Sequence, residues 1–145
     1  MEMDKKLMER TTNYFVGKVI LQDISKIIQS KEQKMYNVTF TNCAKTKLHY
    51  HQAGQILIPT GGKGRLVMYK KIRQNNTGIK IKKIQEVKLV KGDAVYIPAH
   101  QLHWHGAVGK HNFSHIAINA KLPRYREAKT IWYESDFETI ATKIK

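Results

Sequence analysis

The stretch 49-HYHQAGQILIPTGGKG-64 opens on two histidines two residues apart and runs through apolar alternation into a glycine cluster. Residues i and i+2 of a β-strand project to one face. His49 and His51 therefore stand together, with Tyr50 turned the other way. A tight Ala53-Gly54 turn follows, and it can bring Gln55 back toward the histidine side. Far downstream, 103-HWH-105 repeats the spacing, so His103 and His105 share a face and Trp104 points away. His115 begins a third such set, with Ala117 and Asn119 on its side. Imidazole is a common metal ligand, and separate strands of a small barrel can bring such pairs together. Polar alternation alone also produces His-x-His, so spacing by itself leaves both readings open.

The pattern around these motifs is one of short strands. The chain has 145 residues, enough for one domain with a sizeable core. Alternating apolar residues predict strands at Tyr14–Leu21, Met35–Thr41, Lys47–His51, Gln55–Pro59, Arg65–Ile72, Ile79–Ile84, Glu86–Val90, Ala94–Ile97, Leu102–Gly106 and Phe113–Ala120. Turn residues separate them, including Gly61-Gly62-Lys63-Gly64 and Asn75-Asn76-Thr77-Gly78. The segment 65–84 reads as a lysine-rich hairpin closed by the second of these. Ser135 and Glu138 have capping-box spacing, and Phe137, Ile140, Ala141 and Ile144 follow a helical period. That predicts a short helix over 134–145. The tail 1–12 is expected to be flexible or a turn of helix. So many short strands point to an all-β barrel or double-sheet jelly roll.

Composition narrows the function classes. Hydrophobic residues make up 41% and charged residues 26%, an ordinary globular balance. No apolar run reaches the ~20 residues of a membrane helix, and the charged start MEMDKKLMER lacks a secretory h-region. The lone Cys43 rules out an intramolecular disulfide and suits a reducing, cytoplasmic setting; a small buried side chain is expected there. The formal net charge is +15. Lysines supply most of it and aromatic residues are not interleaved with them, which argues against nucleic acid and for solvated faces or attraction of small acids.

These residues resemble the cupin superfamily. A first cupin motif, His-x-His followed by Glu or Gln and then Pro and Gly, is matched by 49–64, and a second, Gly to Pro to His, by 92-GDAVYIPAHQLH-103. The fit is nearer to a branch of small single-domain cupins, some related to carboxymuconolactone decarboxylase. That branch carries segments similar to HYHQAGQIL, PAHQLHWHGA and SHIAI, to 14-YFVG-17 and to 132-WYESDFETI-140. The resemblance covers nearly the whole chain and implies a single cupin domain over 1–145, a jelly-roll double-stranded β-helix. It implies metal ligands at His49, His51, Gln55 and His103. Three departures stand out: Gln52 where the branch often has proline, Ala107 where the general motif has asparagine, and His100 where it has glycine. His100 then carries positive-φ strain or serves substrate binding at the barrel mouth.

Three neutral imidazoles and an amide would leave a divalent ion (Mn, Fe, Co, Ni, Zn or Cu) electron-poor, which favours a small anionic or oxygen-rich ligand. The expected function is a metal-dependent enzyme acting on a small acid or enol, with decarboxylase-, isomerase- or oxygenase-type chemistry. The alternative is a non-enzymatic cupin that binds a small acid or sugar. His105 and His115 are candidates for proton transfer; His105 equally suits orienting a ligand, and His115 a buried core position. His111 is expected in a loop without a role. A homodimer is expected, since an N-terminal strand could add to a neighbour's sheet.

Overall fold

The computed structural model describes residues 8–10 and 13–145, so the predicted tail at 1–7 and 11–12 lies outside the described residues. In chain order the strands are β1 (Met8–Arg10), β2 (Phe15–Val16), β3 (Val19–Asp23), β4 (Gln33–Phe40), β5 (Lys45–Thr46), β6 (Leu48–His51), β7 (Gln55–Asn75), β8 (Gly78–Val90), β9 (Val95–Ile97), β10 (Leu102–Ala107), β11 (Phe113–Ala120), β12 (Thr130–Ser135) and β13 (Ile140–Lys143). One short helix, α1 (Ile24–Ile28), joins β3 to β4; Asp23 caps it, its carboxylate accepting from the Lys26 N–H. The fold is the expected all-β jelly roll.

Strand β7 links the two sheets. Its first half pairs with β11 and β9, its second half with β10 and β8. The sequence predicts a turn at 61–64, but the strand continues and bends there instead. Gly62 has a φ of 75°, and a Cβ on it would lie 1.9 Å from the Asn112 carbonyl oxygen. A Cβ on Gly64 would lie 2.4 Å from the Phe113 ring. The glycines make a sheet corner, which residues with side chains could not occupy. One sheet then contains β1, β3, β4, β11, β9 and the first half of β7; the other contains β2, β5, β10, β6, β12, β13, β8 and the second half. β1 pairs with β3 of its own chain. The predicted strand 14–21 is divided into β2 and β3 at Gly17, whose φ is 83°.

Two cores result. Between the sheets lie Val19, Val38, Phe40, Leu57, Leu66, Leu89 and Phe113, all buried; each such side chain contributes about 1.5–3 kcal/mol of transfer free energy. Behind the second sheet lie Leu48, Val67, Tyr69, Ile79, Ile81, Leu102 and Trp104. The β7–β8 hairpin has the predicted turn: Asn75 Oδ1 accepts from the N–H groups of Thr77 (2.9 Å) and Gly78 (3.0 Å). Its far end pairs with β13, which pairs with β12, which pairs with β6. β6 pairs with β10, and β10 returns to β7. This ring of strands encloses the second core. It explains why every residue of β10 is buried: both its faces are covered.

The predicted C-terminal helix at 134–145 is not formed; β12 and β13 stand there. Asp136 is the reason. Its carboxylate accepts from the N–H groups of Glu138 (3.0 Å), Thr139 (2.7 Å) and Ile140 (3.0 Å), closing a turn where a helix would have begun. Ile140 is exposed, Ala141 buried and Thr142 exposed, so the strand period prevails over the helical one once β8 offers an edge. Cys43 is exposed rather than buried, with a φ of 63° in the turn before β5. Among the described residues, no helix is long and apolar enough to cross a membrane.

Candidate metal centre

Strand pairing assembles the histidines. His103 of β10 sits directly opposite His49 of β6, and their ring centroids are 4.2 Å apart. His51 follows two residues along β6, 4.9 Å from His49. Candidate ligand atoms of His49, His51 and His103 all lie within 4.8 Å of one another, so the three could hold a metal ion. Gln55, first residue of β7, is buried in the same wall.

The outer hydrogen bonds set which atoms face inward. His49 Nδ1–H donates to the Lys47 carbonyl at 2.8 Å, and His103 Nδ1–H donates to the Gln101 carbonyl at 2.7 Å. A carbonyl only accepts, so both rings hold the proton on Nδ1 and present a bare Nε2. His51 Nδ1 lies 2.9 Å from the Thr130 hydroxyl. Gln55 Nε2 donates to Asn119 Oδ1 at 2.7 Å, which turns Gln55 Oε1 inward. His51 Nε2, His103 Nε2 and Gln55 Oε1 are buried without a hydrogen-bond partner. Such orphaned acceptors are costly in a folded protein, and a cation held by the three histidines would satisfy His51 Nε2 and His103 Nε2. The donor set thus fits a divalent transition metal.

Burial keeps the imidazoles neutral. It pushes His103 down to about 3, with His51 contributing. It pushes His51 down to about 4, against the opposing effect of the Gln55 amide. His49 is held well below its usual value by burial and then by His103, His51 and His105. Neutral imidazole is the form that binds metals.

A second histidine pair lies deeper. His115 Nε2 is 3.2 Å from His105 Nδ1, and the pair packs against Phe40 and Phe113. Burial lowers both, His115 to about 4. The His105 backbone N–H donates to the Thr46 hydroxyl at 3.2 Å.

His49, His51, Gln55, His105 and His115 line a cavity of ≈ 190 Å³ whose remaining walls include Phe15, Leu21, Tyr36, Val38 and Trp132. Among the described residues, no Lys, Arg, Asp or Glu lines it. Ala117 and Asn119 reach it as the alternation of β11 predicts. Tyr50 and Trp104 face the second core, as expected for the positions between the paired histidines. His111 is on an exposed loop. His100 has the anticipated positive φ, 67°, but lines a separate cavity beside Tyr50 on the back of the sheet, not the histidine cavity.

Two wall residues escape the sequence reading. Trp132 of β12 stacks on His49 at 4.3 Å, and Thr130 orients His51. Both face inward because Trp132 pairs with His49 and Thr130 with His51 in register. The period-2 pattern of 130-TIWYES-135 carried the signal, but it was masked by the helical period that follows it. Gln52 ties the turn after β6 to the segment before β12: its side-chain oxygen accepts from the Lys129 N–H at 2.9 Å.

Comparison with known proteins agrees with this architecture. The Cupin family model matches residues 9–141. The (R)-mandelonitrile lyase of Granulicella tundricola is 34% identical over 86 residues, 59% of this chain and 56% of that protein. The chain thus matches only about half the length of that curated relative. A cupin-like protein from Thermotoga maritima has a TM-score of 0.67 at 27% identity, covering 95% of this chain and 94% of its own. A variant of the oxalate decarboxylase of Bacillus subtilis has a TM-score of 0.58 at 19% identity, covering 80% of this chain and 28% of its own.

Proposed function

The chain belongs to the cupin family, and from that premise we propose that it is a metal-dependent enzyme acting on a small oxygen-rich acid, enol or hydroxylated substrate. The observation that carries this reading is the convergence of His49, His51 and His103, with His51 Nε2 and His103 Nε2 buried and unpartnered. Gln55 Oε1 is the fourth ligand in this reading. When bound, the ion supplies Lewis acidity to an oxygen of the substrate. Mn is the first metal to test, because the oxalate decarboxylase of Bacillus subtilis has Mn(II) centres.

The cavity limits the substrate. At ≈ 190 Å³ it is smaller than the ~300–1,000 Å³ of drug-sized sites. Among the described residues its walls offer no charged side chain, so a second acidic group on the substrate would find no partner there. The best fit is one acidic or enolisable head and a compact apolar body against Phe15, Leu21 and Val38. His105 takes or returns the proton at the substrate, and His115 Nε2 holds the far side of its ring. The relative named (R)-mandelonitrile lyase favours lyase chemistry within the broader set of decarboxylation, isomerisation and oxygenation.

Purified protein from a metal-replete host should hold about one transition metal per chain, and His49→Ala or His103→Ala should abolish it. Metal-free wild-type protein would sink the reading. Turnover is sought with keto acids, lactones, phenolic acids and hydroxynitriles. Binding of these without turnover would favour the second reading, a non-enzymatic binder, which the same cavity serves.

The match over residues 9–141 supports a single domain. A homodimer is supported by the outer face of the first sheet. Ile56 pairs with Tyr96 and with Ile118, which pairs with Met35; Ile56 is 39% and Tyr96 64% exposed. Light scattering giving a monomer mass would remove this part. Lys70, Lys71, Lys80, Lys82 and Lys83 of the hairpin are all exposed, which favours solvated faces over nucleic acid, and a cytoplasmic setting remains the expectation for the lone free thiol.

A further inference from the structure

A second cavity lies behind the strands that carry the histidines. It measures ≈ 560 Å³ and opens between the β7–β8 hairpin and β12. Lys70, Lys71 and Lys143 bring three ammonium groups to its lining, and His100, Tyr50 and Tyr133 bring three rings. Among the described residues, no carboxylate lines it. Lysines on an open face are solvated and mean little. Lysines gathered round a concavity without a counter-charge repel one another, and a bound anion relieves that. The wall is also built. His100 holds a left-handed φ of 67°, a conformation that is uncommon and costly outside glycine. That conformation sets its ring 5.8 Å from Tyr50, itself 6.4 Å from Tyr133.

We propose that this cavity binds a small phosphate ester carrying a planar ring, as a site separate from the histidine cavity. Lysines act as point charges for phosphate oxygens. Tyr50 and Tyr133 give the ring an aromatic surface, with hydroxyls to spare for polar groups. The volume falls in the ~300–1,000 Å³ range of small-molecule sites.

The two cavities share a wall. Tyr50 stands between His49 and His51 on β6. The His100 N–H donates to the His51 carbonyl at 2.8 Å. The Gln101 carbonyl accepts from His103 Nδ1, and the Gln101 amide is anchored on Tyr69 O at 2.8 Å. An occupant of the back cavity therefore bears on the backbone that aims the metal-binding rings, and the coupling runs both ways.

The test titrates phenyl phosphate and inorganic phosphate calorimetrically into full-length protein, both metal-stripped and metal-loaded. Phenyl phosphate is expected to bind one per chain in both forms, at least tenfold tighter than inorganic phosphate, with affinities in the two forms differing by about fivefold or more. Replacing two exposed lysines together, Lys70→Ala with Lys143→Ala, should weaken it about tenfold and leave metal content unchanged. Binding only in the metal-loaded form would place the phosphate on the metal and overturn the proposal. So would equal binding of the two phosphates, which marks diffuse lysine attraction, or no binding at millimolar concentration. Equal affinity in the two metal states would remove the coupling. Because the stripped form is measured directly, a failure of the metal reading does not decide this one.

Discussion

Gln55 Nε2 donates to Asn119 Oδ1 at 2.7 Å, and this bond leaves the buried glutamine oxygen unpartnered in the cavity that Gln55 lines with His49 and His51. The two residues are opposite each other across the β7–β11 pair. Orienting partners of this kind typically carry 10–100-fold in metal affinity. Asn119→Ala is therefore expected to weaken metal binding about 10–100-fold while the three histidines still bind. Competition against a chelator of known affinity measures it; unchanged affinity would remove Gln55 from the ligand set.

The His105–His115 pair is housed in phenylalanines and ends on the cavity. General acid–base groups typically contribute about 10²–10⁴-fold. With an active substrate in hand, His105→Gln should lower kcat by about that factor and keep one metal per chain. His115→Phe should shift the acid limb of the pH–rate profile more than it shifts KM. Loss of metal from His105→Gln would instead make it a ligand-positioning residue.

Acid should unfold the metal-free protein early. His51 and His115 are held neutral at about 4 and His103 at about 3 by burial, while the unfolded chain takes up protons near 6.5. The unfolded state thus binds more protons between these values, and stability rises with pH there. The full stability is present above about pH 6.5 and is lost progressively as pH falls toward 4; for His115 alone the loss is on the order of 3 kcal/mol. Loading with metal should shift the acid midpoint downward, since protons and metal compete for the same nitrogens. Urea melts from pH 7.5 to 4.5 measure both, and a flat profile would contradict the buried neutral state.

Asp136 closes the turn between β12 and β13 by accepting from the Thr139 hydroxyl and from three backbone N–H groups, which together hold its carboxyl well below the usual carboxylate range. Asp136→Ala should cost about 1–2 kcal/mol, lower Tm, and loosen the strand that carries Trp132 and Thr130. Hydrogen exchange at β13 should speed up first. An unchanged Tm would show that β8 alone holds this edge.

The inward face of the site is legible in the sequence. Same-face spacing places His49 with His51, His103 with His105, and His115 with Asn119, because the side-chain period of a strand is two and local. The hairpin turn was legible for the same reason, as Asn75 bonds to its own near neighbours. What failed was non-local. The glycines at 61–64 look like a turn until Phe113 and Asn112 are packed against them and make them a corner. Residues 135–144 satisfy a helical period, and only the edge of β8 and the Asp136 turn decide for strands.

The sequence by itself determined the family, the alternation that aims five histidines inward, and the glutamine among them, since each depends on residues close in the chain. Tertiary structure decided the rest. It set His103 opposite His49 across 54 positions of sequence, brought Trp132 and Thr130 against the imidazoles, and turned His100 out of the cavity where its motif position had suggested it would serve. Strand register and the closing of a second core fix those placements, and neither is written in any single stretch of the chain.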